Sequence, residues 1–380
     1  MKFIHLADLH LGKKLKEYDL LEDQDFILKK IINIVDEEKI QAVLISGDIY
    51  DKSIPPVGAI TLFESFLTRL AERKIQVFII SGNHDSAERM TFGSQLMDLS
   101  GIHFAKAFGK DYSCIKLNDE FGDLYFYMLP FIKPAFVKAV YPEEEENIKL
   151  YTDACRVALS KMNVDYAQRN VLLAHQFVTG SQRCESEEVS VGGIDNVDVE
   201  IFENFDYVAL GHIHGPQKIK KESIRYSGTP LKYSFSESKH KKSVPVIEIK
   251  EKENLSVKLI PLEPKRDLIE LKGTYNQLMS REFYKDLNTD DFFHITLTDE
   301  EDILNGFSRL NTIYRHLLTL DYENTRTKTK NHQIEDYDVA KVDPLVLFND
   351  FYKMQNNTDL SSEQSDYLRG LIENIWEETK

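Results

Sequence analysis

The chain is poor in cysteine and tryptophan, with three and one among 380 residues. Cys114, Cys155 and Cys184 stand far apart with no C-x-x-C spacing, which argues against a disulfide framework and against a thiolate zinc site. No apolar run approaches the roughly 20 residues that cross a bilayer. No G-x-x-x-x-G-K-S/T sequence occurs, so any ATP hydrolysis coupled to this chain must be carried out by another one. Positive charge is also short. Lys and Arg number 47 against 63 Asp and Glu, a formal charge of −16, which argues against a protein that holds nucleic acid through one broad basic face. The deficit is uneven, because residues 331–380 carry 11 acids and 4 bases. What remains is an ordinary globular composition, 42% hydrophobic and 29% charged, long enough for two or three domains.

Against this background five short blocks stand out: Asp8-Leu9-His10, Gly47-Asp48, Gly82-Asn83-His84-Asp85, Ala174-His175 and Gly211-His212-Ile213-His214. Each ends or follows a short apolar run: Phe3–Ala7, Val43–Ser46, Val77–Ile80, Val171–Leu173 and Tyr207–Leu210. Such runs, nearly continuous in hydrophobicity, predict strands buried on both faces. Helical stripes lie between them, from about Leu20 to Glu38 and from about Val57 to Arg73. Alternating strands and helices predict a layered α/β fold, with ligands at the carboxyl ends of the strands. One Gly-Asp is only a turn and one Gly-Asn-His only a helix cap. Seven carboxylate, amide and imidazole residues at successive strand ends point to a two-metal phosphoesterase.

On an extended backbone Asp8 and His10, two apart, point to one side, as do His212 and His214. Gly47, Gly82 and Gly211 each precede a ligand, where a missing Cβ permits close approach. A mixed oxygen and nitrogen donor set suits manganese, magnesium or iron, with zinc also open. Two such ions about 3.5–4 Å apart share a bridging carboxylate and hydroxide and stabilise both attacking and leaving oxygens. His5, His103, His240, His294, His316 and His332 lie outside the blocks and read as surface or packing histidines.

These blocks resemble the calcineurin-like metallophosphoesterases. Finer stretches are similar to the SbcD-type nuclease branch of that superfamily: Ile4–Gly12, Ser46–Asp51, Ser81–Asp85, Leu129-Pro130-Phe131, Val191-Gly192-Gly193, Phe205–Pro216 and Tyr226–Leu231. The likeness is strong over about residues 1–265 and weaker beyond. It implies a layered α/β sandwich and a dinuclear centre, Mn²⁺ first and Mg²⁺ second. Asp8, His10, Asp48 and His214 would hold one ion; Asp48, Asn83, His175 and His212 would hold the other. It further implies that His84 faces the scissile phosphate as a catalytic residue. Asp51, three residues past Asp48, is assigned the role of orienting His84 and raising its pKa, the alternative being a solvated or turn-capping Asp. The implied activity is double-strand DNA exonuclease and endonuclease action, including hairpin and end processing, in a homodimer gated by an SbcC-type ATPase. A phosphatase or phosphodiesterase of small molecules or phosphoproteins, and a non-catalytic scaffold of the ATPase complex, remain as rival readings.

Organisation beyond the blocks follows from composition. Residues 244–262 read as edge strands closing a nuclease domain at 1–265, with Pro261 and Pro264 at its end. Residues 266–320 predict a small α/β capping domain, with a strand at 291–298 and a helix at 303–318. Residues 321–342 read as a linker. A helix pair follows over 343–380, with Asp343-Pro344 opening the first helix and a Ser361/Gln364 capping box opening the second. Its stripe of Tyr367, Leu368, Leu371, Ile372, Ile375 and Trp376 needs a surface to cover it, and the resemblance makes that the ATPase coiled coil. Three lysine clusters, Lys13/Lys14/Lys16, Lys218/Lys220/Lys221 and Lys239/Lys241/Lys242, are candidates for phosphate-backbone contact or plain solvated faces. No secretory leader is evident, and Asp8 and His10 come too early for removal, so a reducing cytoplasm without membrane attachment is expected.

Overall fold

All five apolar runs are strands: Lys2–Leu6, Ala42–Ser46, Gln76–Ile80, Arg169–His175 and Tyr207–Gly211. Their side chains are buried almost throughout, as expected of strands covered on both faces. The computed structural model describes residues 1–184, 187, 195–325, 344–356 and 358–378. Val191-Gly192-Gly193, His332, Asp343, most of 321–342 and the side chains of Ile375 and Trp376 lie outside the described residues.

The chain divides into two units, Met1–Asp267 and Leu268–Lys380. The first is built on two six-stranded sheets. One runs, in spatial order, Leu255–Pro261, Ser243–Ile249, Lys2–Leu6, Ala42–Ser46, Gln76–Ile80, Ile102–Phe104. The other runs Gln217–Ile219, Lys221–Tyr226, Tyr207–Gly211, Arg169–His175, Gly122–Leu129, Ser113–Asp119. Phe3, Leu44 and Phe78 of the first meet Phe126, Leu173 and Tyr207 of the second in one apolar layer, with Phe78 and Phe126 stacked at 4.2 Å and 11°. This is a sheet-on-sheet sandwich.

Helices Leu21–Glu37 and Val57–Glu72 connect the parallel strands of the first sheet. The former buries Ile27, Leu28, Ile31, Ile32 and Val35, the stripe legible in the sequence. The second sheet packs Leu172, Val208 and Leu210 against Ala154, Cys155 and Leu159 of helix Tyr151–Lys161. Among the described residues no helix is long and apolar enough to cross a membrane.

Two expectations need correction. Ser243–Ile249 is an inner strand, paired on one side with Lys2–Leu6 and on the other with Leu255–Pro261, and only the latter is an edge. Its Val244, Val246, Ile247 and Ile249 are buried, which a solvent-facing edge strand would not allow. The helix expected at 303–318 shrinks to Gly306–Leu310, and His316–Tyr322 is a strand that takes in the first two residues of the expected linker. Parallel pairing with Phe292–Leu297 outweighs the helical spacing, and Tyr314 is held in the intervening turn by its hydroxyl, which donates to the Leu278 carbonyl at 2.7 Å.

The second unit thus centres on a parallel sheet of Leu268–Gly273, Phe292–Leu297 and His316–Tyr322. It also contains helices Pro344–Asn356 and Ser362–Glu378. The capping box at the start of the latter forms: the Ser361 amide donates to Gln364 Oε1 at 2.9 Å and the Gln364 amide to Ser361 Oγ at 3.2 Å.

Candidate metal centre

The two sheets end at one place. Beyond Leu6 the chain follows the loop after Ser46, with Asp8 N donating to Gly47 O, His10 N to Asp48 O and Leu11 N to Ile49 O at 2.9–3.0 Å. Asp8, His10 and Asp48 have φ of 53°, 43° and 49°, and His212 has φ of 101°. Four non-glycine residues of one cluster therefore occupy the left-handed region, a placement that persists where surrounding structure over-determines it and that gathers at functional sites. Asp8 and His10 thus share a side through left-handed turns rather than through extended strand backbone. A Cβ on Gly82 would overlap Asp48, and one on Gly211 would overlap the Ser46 carbonyl, so both glycines are required by close approach.

All seven expected ligands converge. His10 Nε2 is 3.2 Å from His214 Nε2 and 3.8 Å from Asp48 Oδ2, and His175 Nε2 is 3.4 Å from that same oxygen. Asn83 Oδ1 lies 3.0 Å from both His175 Nε2 and His212 Nδ1. Donor atoms of Asp48, His175 and His212 all fall within 4.8 Å of one another, as do those of His10, Asp48 and His84. Asp8 Oδ1 accepts from the His212 amide at 2.9 Å, while Oδ2 is buried with no partner.

That orphaned oxygen and the facing His10 and His214 nitrogens suit cations between them, since a buried acceptor is otherwise costly. The protein's own charges make the same demand. Burial raises the Asp8 carboxyl to about 7 and lowers His212 to about 3, and it also holds His10 well below its usual value. Burial opposes charge on Asp48, yet His175, His10 and His84 around it keep its carboxyl ionised. Burial likewise opposes a charged His175, which Asp48 and Asp8 raise to about 9. Asp48 is thus held as a carboxylate at the middle of the cluster, a charge that a bound cation would meet directly. The donors present fit two divalent ions.

His84 stands at the opening, its ring edge-on to His10 at 4.9 Å. Its amide donates to Asp48 Oδ1 at 2.9 Å, and its Nδ1 lies 3.0 Å from the backbone carbonyl of Asp51. A carbonyl only accepts, so Nδ1 carries the proton and Nε2 is left with the lone pair. The Asp51 carboxylate points elsewhere: it takes Lys13 Nζ at 2.8 Å and lies 3.7 Å from His10 Nδ1. Asp51 therefore meets His84 through main chain, and its side chain anchors Lys13 from the first lysine cluster.

Several supporting residues escaped the sequence reading. Asp85 accepts from the amides of Gly82, Ile49 and Tyr50, tying the two ligand loops together. Its position directly after His84 was a usable signal. Gln24 donates to the His10 carbonyl at 2.8 Å and accepts from the Gly12 amide at 3.0 Å. Cys184 and Glu187 lie beside His214, whose amide donates to Glu187 Oε1 at 2.7 Å. Nothing in their spacing announces this.

The lysine clusters divide. Lys14, Lys16, Lys239 and Lys241 are exposed, Lys218 and Lys220 pair with Glu222 and Glu203, and Lys242 is buried against Glu237, away from any surface that could meet a phosphate backbone. Of the outlying histidines, His5 is buried with Nδ1 3.0 Å from the Tyr207 hydroxyl, a packing role.

Comparison with known proteins identifies the family. Residues 1–216 match the calcineurin-like phosphoesterase family, which defines the class of the first unit. Residues 264–356 match a family described as the type 5 capsule protein repressor C-terminal domain. Two proteins named as the D component of the SbcCD nuclease are similar over the full length. That of Staphylococcus epidermidis is 32% identical over 376 residues, 98% of each chain. That of Staphylococcus saprophyticus is 32% identical over 382 residues, 100% of this chain and 99% of that one. A dimetal phosphatase structure from Danio rerio covers 69% of this chain and 96% of its own at 11% identity and a TM-score of 0.41. The chain belongs to the SbcD family of calcineurin-like phosphoesterases.

Proposed function

We propose that this chain is the nuclease subunit of an SbcCD-type complex, hydrolysing DNA phosphodiesters as a double-strand exonuclease and as an endonuclease at hairpins and ends. The carrying observation is the convergence of Asp8, His10, Asp48, Asn83, His175, His212 and His214 around an unpartnered buried carboxylate oxygen, in a chain similar to SbcD proteins from end to end. Asp8, His10, Asp48 and His214 hold one ion and Asp48, Asn83, His175 and His212 the other, manganese first and magnesium second. Two divalent ions held by these residues would supply polarisation of the phosphoryl oxygens and a lowered pKa for an attacking water. Asp48 sits centrally, within 4.0 Å of His10, His84 and His175. His84, with Nδ1–H held by the Asp51 carbonyl, keeps Nε2 4.0 Å from Asp48 Oδ2 at the edge of the ligand cluster, where the ring stabilises charge developing on the phosphoryl group or, in its imidazolium form, protonates the leaving oxygen.

Partners follow from surfaces. Helices Pro344–Asn356 and Ser362–Glu378 leave Val346, Phe348, Phe351, Tyr367 and Leu371 exposed, an apolar face for an SbcC-type ATPase coiled coil. A groove of about 730 Å³ begins at Ser86 and Arg89, just past His84, and its lining includes Ile54, Ile60, Phe92 and Leu96. Phe92 and Leu96, on its lining, are 87% and 74% exposed, an apolar patch of the kind that can serve as an interaction site. A second copy of this chain covers it, setting two centres on one assembly. The complex works in the cytoplasm.

The test is cleavage of an end-labelled DNA hairpin with Mn²⁺ or Mg²⁺, with and without the ATPase partner, by wild type and His84→Ala. Manganese-dependent cutting that His84→Ala abolishes is expected. Turnover of nitrophenyl phosphate without any DNA cleavage would replace the nuclease reading by a small-substrate phosphoesterase.

A further inference from the structure

Behind His214 lies a polar knot drawn from residues 228–242, a stretch that supplies no ligand. Gly228, with φ of +72°, packs so closely that a Cβ there would sit 2.6 Å from the His214 carbonyl oxygen. The Thr229 amide donates to that oxygen at 3.1 Å. The Lys242 ammonium uses all three protons, toward Glu237 Oε2 at 2.5 Å, Thr229 Oγ1 at 2.6 Å and the His214 carbonyl at 2.9 Å. The Thr229 hydroxyl passes its own proton to the Leu231 carbonyl at 2.6 Å. Glu237 Oε1 lies 3.3 Å from His214 Nδ1 and accepts from the Tyr233 amide at 3.3 Å. Thr229, Glu237 and Lys242 are 0%, 0% and 5% exposed.

A buried ion pair is an expensive way to fill space, since apolar residues of similar volume usually serve stability as well. Its value here is chemical. An ionised carboxylate only accepts, so Glu237 obliges Nδ1 of His214 to carry the proton and leaves the Nε2 lone pair facing His10. We propose that Glu237, clamped by Lys242 and Thr229, is a positioning residue that fixes the tautomer and orientation of His214 for metal binding. The Ser227-Gly228-Thr229-Pro230 stretch thereby gains a function: it delivers the clamp to the back of the ligand. This rests on the reading of His214 as a ligand, and the experiment separates the two.

Wild type, His214→Ala and the double variant Glu237→Met/Lys242→Met are titrated with Mn²⁺ by calorimetry and electron paramagnetic resonance. Imidazole tautomers are read in ¹⁵N-histidine spectra of metal-free protein. Removing both charges together avoids stranding either one. The expected result is a folded double variant without the Nδ1–H signature of His214, binding one of two Mn²⁺ ions about 10–100-fold more weakly. A folded double variant with wild-type tautomer and both affinities intact overturns the proposal, provided His214→Ala loses a site. If His214→Ala itself retains both sites, the ligand assignment falls and the proposal with it. Should the double variant not fold, the isosteric Glu237→Gln decides. Its weaker acceptor is expected to reduce binding at one site several-fold, and unchanged binding refutes the role.

Discussion

Replacing Asp85 by Asn tests how far the centre depends on one tie between loops. The Asp85 carboxylate accepts from Gly82 N at 2.9 Å and Ile49 N at 3.1 Å through Oδ2, and from Tyr50 N at 3.1 Å through Oδ1. An amide has a single acceptor oxygen. With that oxygen placed for Gly82 and Ile49, the new NH₂ group confronts the Tyr50 amide, donor against donor. Losing one hydrogen bond to a charged acceptor costs about 1.5–3 kcal/mol, and the two that remain weaken. Burial and the Asp48 charge already push the Asp85 carboxyl up to about 6, so neutralisation returns part of this. A net loss of about 2 kcal/mol remains, or a fall in Tm of about 4–8 °C for a unit of this size. The larger effect is on chemistry, because the released turn carries Asn83 and His84, and a shift of about 1 Å in such groups costs roughly 100-fold in rate. The assay pairs thermal unfolding with single-turnover hairpin cleavage at saturating Mn²⁺. A variant within about threefold of wild-type rate and within about 2 °C of its Tm would refute the tie.

Three other predictions concern structure outside the ligand cluster. Arg169, 4% exposed, spends all its donors on Asp119, the Asp123 and Gly122 carbonyls and the Lys250 carbonyl, so Arg169→Met is expected to cost about 3–5 kcal/mol in urea unfolding, and a loss under 1 kcal/mol would contradict it. Burial opposes the charge on Asp119, but Arg169 and the Met1 amine lower its carboxyl to about 2; a depressed acid stabilises above its unfolded value near 4 and loses this as pH falls through about 2. The wild type should therefore shed up to about 2 kcal/mol between pH 4 and 2, and Asp119→Asn should flatten that part of the profile. Phe92→Asp/Leu96→Asp is expected to yield monomers by light scattering while leaving the fold intact, and an unchanged dimer would place the self-contact elsewhere.

The sequence disclosed the part of this molecule where chemistry and secondary structure coincide. Strand-end blocks are legible because buried parallel strands are continuous apolar runs and because aspartate and histidine are conspicuous beside them. Helices Leu21–Glu37 and Val57–Glu72 were legible by their spacing, with ends within a residue of expectation. The helix expected at 303–318 failed because its spacing also suits a turn followed by a strand, and only the partner strand Phe292–Leu297 decides between them. The left-handed turns at Asp8 and His10 were invisible for a similar reason, since they are imposed by hydrogen bonds to residues about forty positions away. Glu237 and Lys242 looked like an unremarkable acid and one more surface lysine. Their burial is a property of the whole sandwich.

The order of the strands along the chain governs when the enzyme can first act. The first sheet is completed by Ser243–Ile249, which slides between Lys2–Leu6 and a strand made later still, Leu255–Pro261. Ligands at positions 10 and 214 face each other only once both sheets are closed. A fragment that ends before about residue 260 therefore carries most of the metal-binding side chains on a first sheet still missing all or part of these late strands. The complete set of strands that frames the centre is thus in hand only after about two thirds of the 380 residues have been made.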